Sequence, residues 1–225
     1  MGLLKEPIVT KWFFSLLFVP IVAFAGLCVI LVPCGDYVTY ETKVPVLGEV
    51  WVDDGYNQEM VSLTYLKRLG VPDKPNQEEH GAVFGVSGLD ALGGVPFSAT
   101  TSLGDVNGQL QRGMFIVTDA RKYLSDPGII PPLVLDQLWS CYGIDNTGGK
   151  RQNIAWNDQF GPHDGTVGKP SYVCIPANTV TTSTFVCFGS VRNTGKGPGK
   201  LFVQTPFYNG PADVVPVDEY CALAS

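Results

Sequence analysis

Two short segments carry the residue types from which hydrolase sites are built. His163 and Asp164 are adjacent in GPHDG and would supply a base and an acid to a catalytic triad. The stretch GVSGL (residues 85–89) begins like a nucleophile elbow but lacks the second glycine of GxSxG. A Gly/Pro-rich segment around His and Asp is typical of a turn. The sequence therefore favours a turn here, and we predict no catalytic residues and no enzyme.

Metal and cofactor motifs are missing from the sequence. It has no CxxC pair and only two histidines, His80 and His163, which argues against a metal site. The acidic pair Asp53-Asp54 is not followed by the regular oxygen ligands of a calcium loop. No dinucleotide or haem motif is present either. We expect no cofactor.

One basic cluster, RNTGKGPGK (residues 192–200), lies in the second half of the chain. Its spacing is too short for a Walker A loop, and Leu201 stands where a magnesium-binding hydroxyl is needed. The segment predicts either a solvated hairpin tip or a cationic loop for lipid headgroups or an acidic partner. The side chains concerned are Arg192, Lys196 and Lys200.

Four cysteines are candidates for two disulfides. Cys174 and Cys187 lie in two apolar β segments, YVCIP and FVCFG, which can pair antiparallel and bring their Cβ atoms within disulfide distance. Cys141 and Cys221 would then form a second bridge. Export makes disulfides plausible, and the alternative is that all are reduced, buried thiols. Cys34 is left over, as a free thiol, a lipid attachment point or an intermolecular bridge.

These elements follow one long apolar stretch. Residues 12–33, WFFSLLFVPIVAFAGLCVILVP, carry no charge. As a helix they would measure about 33 Å, enough to cross a hydrocarbon core of about 30 Å. Pro20 would bend this helix, and Trp12 and Pro33 bound it. We predict a short cytoplasmic tail at residues 1–11, a transmembrane helix at residues 12–33 and an outer domain at residues 34–225.

The same stretch resembles two kinds of removable segment. Ala23-Phe24-Ala25 matches a signal-peptide cleavage site, but the apolar run continues to Val32, which is longer than a secretory core. Leu31–Cys34 resembles a lipoprotein signal, with a proline that fits poorly before the cysteine. The length of the run favours a retained anchor.

The charge distribution predicts the orientation of the chain in the membrane and argues against nucleic acid as a partner. The net charge is −6, and the tail contributes +1 through Lys5, Glu6 and Lys11, which leaves −7 beyond the span. Positive residues before the span favour a cytoplasmic N-terminus, with the outer domain periplasmic, lumenal or extracellular. The net negative charge of the outer domain argues against nucleic acid, because phosphate binding needs clustered Lys and Arg.

The outer domain reads as β-rich with two short helices. Helices are predicted at residues 58–69 and 131–142, each closed by a glycine. A polar, proline-bearing loop or hinge is predicted at about residues 71–81. The remaining apolar segments favour short, mostly antiparallel strands. They are residues 36–52 (two strands), 97–103, 109–118, 172–175, 182–188 and 200–207.

The sequence thus predicts a single N-terminal transmembrane helix followed by a β-rich α+β domain. A chain with only 16% charged residues and without catalytic signatures favours a non-catalytic accessory or structural subunit of a larger membrane complex or membrane-containing particle. Its partners would be other subunits and the bilayer. The alternative is a membrane-tethered enzyme or ligand-binding domain using the Gly-rich residues 143–168, with His163 and Asp164 at its centre.

Overall fold

The computed structural model of the chain describes residues 36–72, 81–145, 150–158, 160–178, 183–189, 191–193 and 199–225. In these ranges all regular structure is β-strand. The strands are β1 (Tyr37–Asp53), β2 (Gln58–Pro72), β3 (Ala82–Ser87), β4 (Val95–Thr101), β5 (Gly104–Thr118), β6 (Arg121–Tyr123), β7 (Leu138–Asp145), β8 (Gln152–Asp158), β9 (Gly161–Val167), β10 (Pro170–Ala177), β11 (Thr184–Gly189), β12 (Arg192–Asn193), β13 (Gly199–Gln204), β14 (Asn209–Val214) and β15 (Val217–Ala224).

Eight strands close into a barrel. Their order is β3-β2-β1-β15-β11-β10-β7-β5, and β5 pairs back onto β3. β4 extends the sheet from β5, and two separate three-stranded sheets have the orders β12-β9-β8 and β14-β13-β6. Every pairing is antiparallel, as the alternating strand patterns predict. Closure leaves the barrel strands without free edges.

The predicted helix at residues 58–69 is wrong, because this segment is β2. Bulges interrupt its pairing with β3 between Leu63 and Tyr65 and between Leu66 and Arg68. Each bulge adds a residue and shifts the inside–outside alternation. The buried apolar residues therefore recur at intervals of two and three, which imitates helical spacing. They are Val61, Leu63, Leu66, Leu69 and Val71.

The predicted helix at residues 131–142 is also wrong. Residues 131–137 have no regular structure, and β7 begins at Leu138. Both faces of β7 are buried, so its sequence LWSCY is apolar without alternation. The α+β fold class is thus corrected to all-β: the described residues contain no helix, and hence none long and apolar enough to cross a membrane. The predicted span at residues 12–33 lies outside the described residues.

Converging side chains identify the inside of the barrel. Strands two apart in a sheet are separated by about 9.6 Å. Phe115 of β5 and Tyr172 of β10 are two strands apart, yet their ring centroids are 5.2 Å apart. These side chains therefore point inward. They share the interior with other buried side chains: Tyr37, Val83, Val117, Trp139, Cys141, Cys174, Phe185, Cys187 and Cys221.

All four predicted cysteines form disulfides, but with different partners. The bridges are Cys141–Cys174 and Cys187–Cys221, in place of the predicted 174–187 and 141–221. β10 and β11 do pair antiparallel, but their register sets Cys174 opposite Phe185. Cys174 faces Cys141 of β7 directly, and Cys187 faces Cys221 of β15. The register, set by the tertiary fold, decides the pairing.

Other parts of the chain cover the outer face of the barrel. The β1–β2 hairpin folds back over it, so that the Asp54 carboxylate accepts hydrogen bonds from Ser140 and Tyr142 of β7. The backbone amide of Asn178, which follows β10, donates to the Asp53 carbonyl at 2.9 Å. The two small sheets add buried side chains to the same outer cluster: Trp156, Val167, Leu201, Val203, Ala212 and Val214.

Candidate functional sites

His163 lies in β9 and does not act with Asp164. Successive side chains in a strand point to opposite faces, and Asp164 is exposed. The imidazole of His163 instead meets the carboxylate of Asp158, with Nε2 and Oδ1 3.1 Å apart. Its ring also stacks on Trp156, with centroids 5.2 Å apart and the planes 16° from parallel. Asp158 is thus the acidic partner that sequence reasoning missed, because the β8–β9 turn rather than adjacency brings it to His163.

The Asp158 carboxylate is buried and saturated with hydrogen bonds. Its Oδ2 accepts the Tyr40 hydroxyl at 2.6 Å and the Trp156 indole N–H at 3.2 Å. Its Oδ1 accepts the Phe160 amide at 2.8 Å beside the His163 contact. A carboxylate offers about four lone-pair sites, and here each has a partner. The cluster therefore fastens the β8–β9 sheet to β1.

Tyr40 holds its proton in this cluster. Burial, and then the hydrogen bond to Asp158 and the negative charge of its carboxylate, raise the pKa of Tyr40 well above its ordinary value. Tyr142 behaves in the same way beside Asp54, with burial again the main cause of its raised pKa. Both phenols remain neutral donors at neutral pH. Their hydroxyls donate to the buried carboxylate of Asp158 and the partly buried carboxylate of Asp54.

A second charged group lies inside the barrel. Arg68 Nη2 and Glu219 Oε1 are 3.0 Å apart, and both side chains are almost fully buried. The Tyr172 hydroxyl donates to the other Glu219 oxygen. The Arg68 guanidinium also lies over the Phe115 ring, 5.2 Å from its centroid. Burial, followed by the negative charge of Glu219, raises the pKa values of Tyr37 and Tyr172. Charges, phenols and rings therefore fill the interior together.

The remaining predicted sites are dispersed or outside the described residues. Asp53 and Asp54 lie at the end of β1, where Asp54 Oδ1 accepts the amides of Tyr56 and Asn57, each at 2.9 Å. Lys200 is exposed on β13, Arg192 is described only by its backbone in β12, and Lys196 lies outside the described ranges. Within those ranges no group of three or more His, Cys, Asp or Glu residues is placed to hold a metal ion.

The loop Leu124–Asp136 is an exposed apolar segment that the sequence analysis did not identify, because residues from 131 onward were predicted to be helical. Ile129 is fully exposed, at 105% of its reference area, and Leu124 at 79%. Val134 and Leu135 are also exposed. Three prolines within thirteen residues are the signal that would have indicated an irregular segment.

A second exposed apolar group lies near the tip of the β1–β2 hairpin. Trp51 and Met60 are direct cross-strand partners, and each is about half exposed, at 49% and 54%. Tyr56, in the turn between the strands, is 53% exposed. The side-chain amide of Asn178 donates to the Trp51 carbonyl and fixes this part of the hairpin to the barrel. We call Trp51, Tyr56 and Met60 the hairpin patch.

The comparisons with known proteins found no match. No family model matches the chain, and no curated protein and no solved structure was found that resembles it. The function is therefore argued from the geometry of the described residues.

Proposed function

We propose that this protein is a non-catalytic accessory or structural subunit of a larger membrane-associated assembly. In this proposal the apolar residues 12–33 attach the chain to the membrane. The barrel lies on the non-cytoplasmic side, where disulfides form and persist. Two disulfides within the barrel support that placement.

The filled barrel interior is the observation that carries the proposal. Eight-stranded barrels either pack their interior with side chains or keep room there for one small ligand. Here aromatic rings, two disulfides and the Arg68–Glu219 pair occupy it. The interior therefore supports rigidity, and any partner must bind on the outside.

The hairpin patch is the surface we assign to a partner subunit. Aromatic residues and Met are enriched at protein interfaces. Trp51 and Met60 stand side by side on a hairpin that backbone and side-chain hydrogen bonds fix to the barrel. A fixed apolar surface loses little conformational entropy when a partner covers it.

The alternative is a tethered enzyme or binding domain that uses residues 143–168. His163 beside the buried Asp158 is the observation that favours it. Against it, the carboxylate is saturated and the imidazole is stacked on Trp156, with its side chain only 8% exposed. A general base needs access to the proton it removes. A structural role of this pair supports the proposed function better.

The test is to purify the full-length chain from its native membranes in mild detergent. We expect it to co-purify with other subunits in fixed stoichiometry, and Met60→Glu to release them. Val215→Glu is the matched control, because Val215 is similarly exposed (47%) and lies just before β15, where its amide donates to Glu41. An unsubstituted chain that purifies as a stable monomer without other subunits, or a Val215→Glu chain that loses them as Met60→Glu does, would contradict the proposal.

A further inference from the structure

We infer that the loop Leu124–Asp136 contacts the lipid bilayer and inserts its apolar side chains at the boundary between headgroups and acyl chains. This inference rests on the proposed membrane attachment of residues 12–33. It goes beyond the proposed function because it assigns a lipid-facing surface to the barrel domain itself, apart from the partner-facing hairpin patch.

The composition of the loop suits a lipid environment. Leu124, Ile129 and Val134 are all strongly exposed within one segment of eleven residues, and clustered exposed apolar side chains mark binding surfaces. An unpaired backbone amide is costly in a water-poor layer. Pro127, Pro131 and Pro132 have no amide hydrogen, and the Gly128 amide already donates to the Asp126 carboxylate at 2.8 Å. Four of the thirteen residues of the loop therefore bring no unpaired backbone amide into the headgroup layer.

The position of the loop agrees with the point where the chain would meet the membrane. β5 ends and β7 begins at one end of the barrel, where Thr118 pairs with both Ala82 and Leu138. β1 starts at the same end, where Tyr37 pairs with Pro72. Asp36 precedes it, and three residues of extended chain from Pro33 to Asp36 span at most about 11 Å. A bilayer that holds residues 12–33 must therefore lie close to this end of the barrel.

Asp36 fixes that entry point to the barrel. Its Oδ1 accepts the Leu223 amide at 2.9 Å, and its Oδ2 accepts the Tyr220 hydroxyl at 2.7 Å. The Ser102 hydroxyl also donates to Oδ2. Because β15 and the β4–β5 turn both hold Asp36, the orientation of the barrel relative to the attachment point is restricted. This restriction keeps one end of the barrel toward the bilayer, and the loop returns to the barrel at that end, where β7 begins.

The charges of the loop show which lipid chemistry it fits. Residues 124–136 contain no Lys, Arg or His, and the carboxylates of Asp126 and Asp136 are exposed. Anionic headgroups attract basic segments and not acidic ones. Binding must therefore come from apolar insertion, as for interfacial segments whose buried apolar area sets their affinity. We expect no preference for anionic lipids.

The experiment uses the full-length chain with the photoreactive residue p-benzoylphenylalanine in place of Ile129, reconstituted into phosphatidylcholine vesicles. The matched variant carries it in place of Val215, beside Glu41 and the start of β15, at the opposite end of the barrel. After irradiation and digestion, mass spectrometry measures lipid adducts on each peptide. We expect several-fold more adduct at position 129 than at position 215. Replacing part of the phosphatidylcholine with phosphatidylglycerol should leave this ratio unchanged.

Three results would overturn the inference. They are equal adduct at both positions, crosslinks from position 129 to the cytoplasmic tail at residues 1–11, and crosslinks to a second copy of the chain in place of lipid. Flotation of the same vesicles separates the inference from the proposed function. A chain that does not float with the vesicles contradicts the membrane attachment, whereas one that floats without lipid adduct at position 129 contradicts only the role of the loop.

Discussion

The barrel interior and the loop Leu124–Asp136 both carry large apolar side chains, but their surroundings differ completely. Phe115 in the interior is buried against Tyr172 and Arg68, whereas Ile129 in the loop is fully exposed. Interior residues stabilise the fold by leaving water. The exposed loop residues Leu124, Ile129 and Val134 gain little such stabilisation from the described residues. The comparison therefore separates apolar residues that hold the fold together from apolar residues presented to another molecule.

The largest loss of stability is expected when one member of the interior ion pair is removed. Glu219→Ala would leave the Arg68 guanidinium buried without its carboxylate. We expect the free energy of unfolding to fall by about 3–5 kcal/mol. Guanidinium chloride unfolding of the full-length chain in detergent measures this loss. The control is the double variant Arg68→Met/Glu219→Met, which removes both charges and should lose clearly less. Equal losses would mean that the unpaired charge is not the cause.

The disulfides come next in expected size. Cys141→Ala/Cys174→Ala and Cys187→Ala/Cys221→Ala each open one bridge, whose cysteines are 33 and 34 residues apart. Chain entropy predicts a loss of about 3–4 kcal/mol for either pair. Because the two loops are nearly equal in length, the two losses should also be nearly equal. Peptide mapping without reduction checks the pairing, and a 174–187 peptide would contradict the register described here.

High pH should destabilise the interior through its buried phenols. The pKa values of Tyr37 and Tyr172 are raised in the folded protein, mainly by burial. Their contribution to stability is complete below the unfolded pKa of about 10 and is lost above it, because only the unfolded chain then ionises. Above pH 10, each phenol should lower the free energy of unfolding by about 1.4 kcal/mol per pH unit. The two phenols together should lower it by about 3 kcal/mol per pH unit. Denaturant unfolding followed by circular dichroism at several pH values measures this loss, and tyrosinate absorbance reports the ionisation. Tyr172→Phe should reduce the dependence of the free energy of unfolding on pH by about 1.4 kcal/mol per pH unit.

The smallest effect on stability is expected in the loop. Ile129→Asp should change the free energy of unfolding by no more than about 0.5 kcal/mol, because surface substitutions away from buried contacts rarely do more. Val83→Asp, which buries a carboxylate in the interior, is the contrasting control and should prevent stable folding. The midpoint of denaturant unfolding measures both variants. A large loss for Ile129→Asp would show that the loop packs against this chain.

Part of the fold was predictable from local patterns. Short segments rich in Val, Tyr and Phe correctly indicated strands such as β10 and β13, because the preference of these residue types for strands is a local property. The same reasoning failed for β2, where bulges shift the alternation toward a helical period. It also failed for β7, which is apolar on both faces. Bulges and two-sided burial arise from pairing with distant strands, so a local pattern does not show them.

The candidate sites were likewise predictable in part, because the sequence identified residue types and the tertiary structure decided which residues meet. The sequence identified the four disulfide cysteines and singled out His163 as a residue that could do chemistry. It did not predict which cysteines pair, or that Asp158 rather than Asp164 meets the imidazole. Likewise, Arg68 and Glu219 are 151 positions apart and meet because β2 and β15 both pair with β1.

By itself, the sequence determined composition, charge, the apolar stretch at residues 12–33 and which segments favour strands, since these follow from residue types and near neighbours. Only the tertiary structure decided strand register, the disulfide partners, the inside of the barrel and the exposure of Leu124–Asp136. These depend on contacts between residues far apart in the chain, and a closed sheet sets all of them together. The physical reason is that one register must satisfy every strand at once.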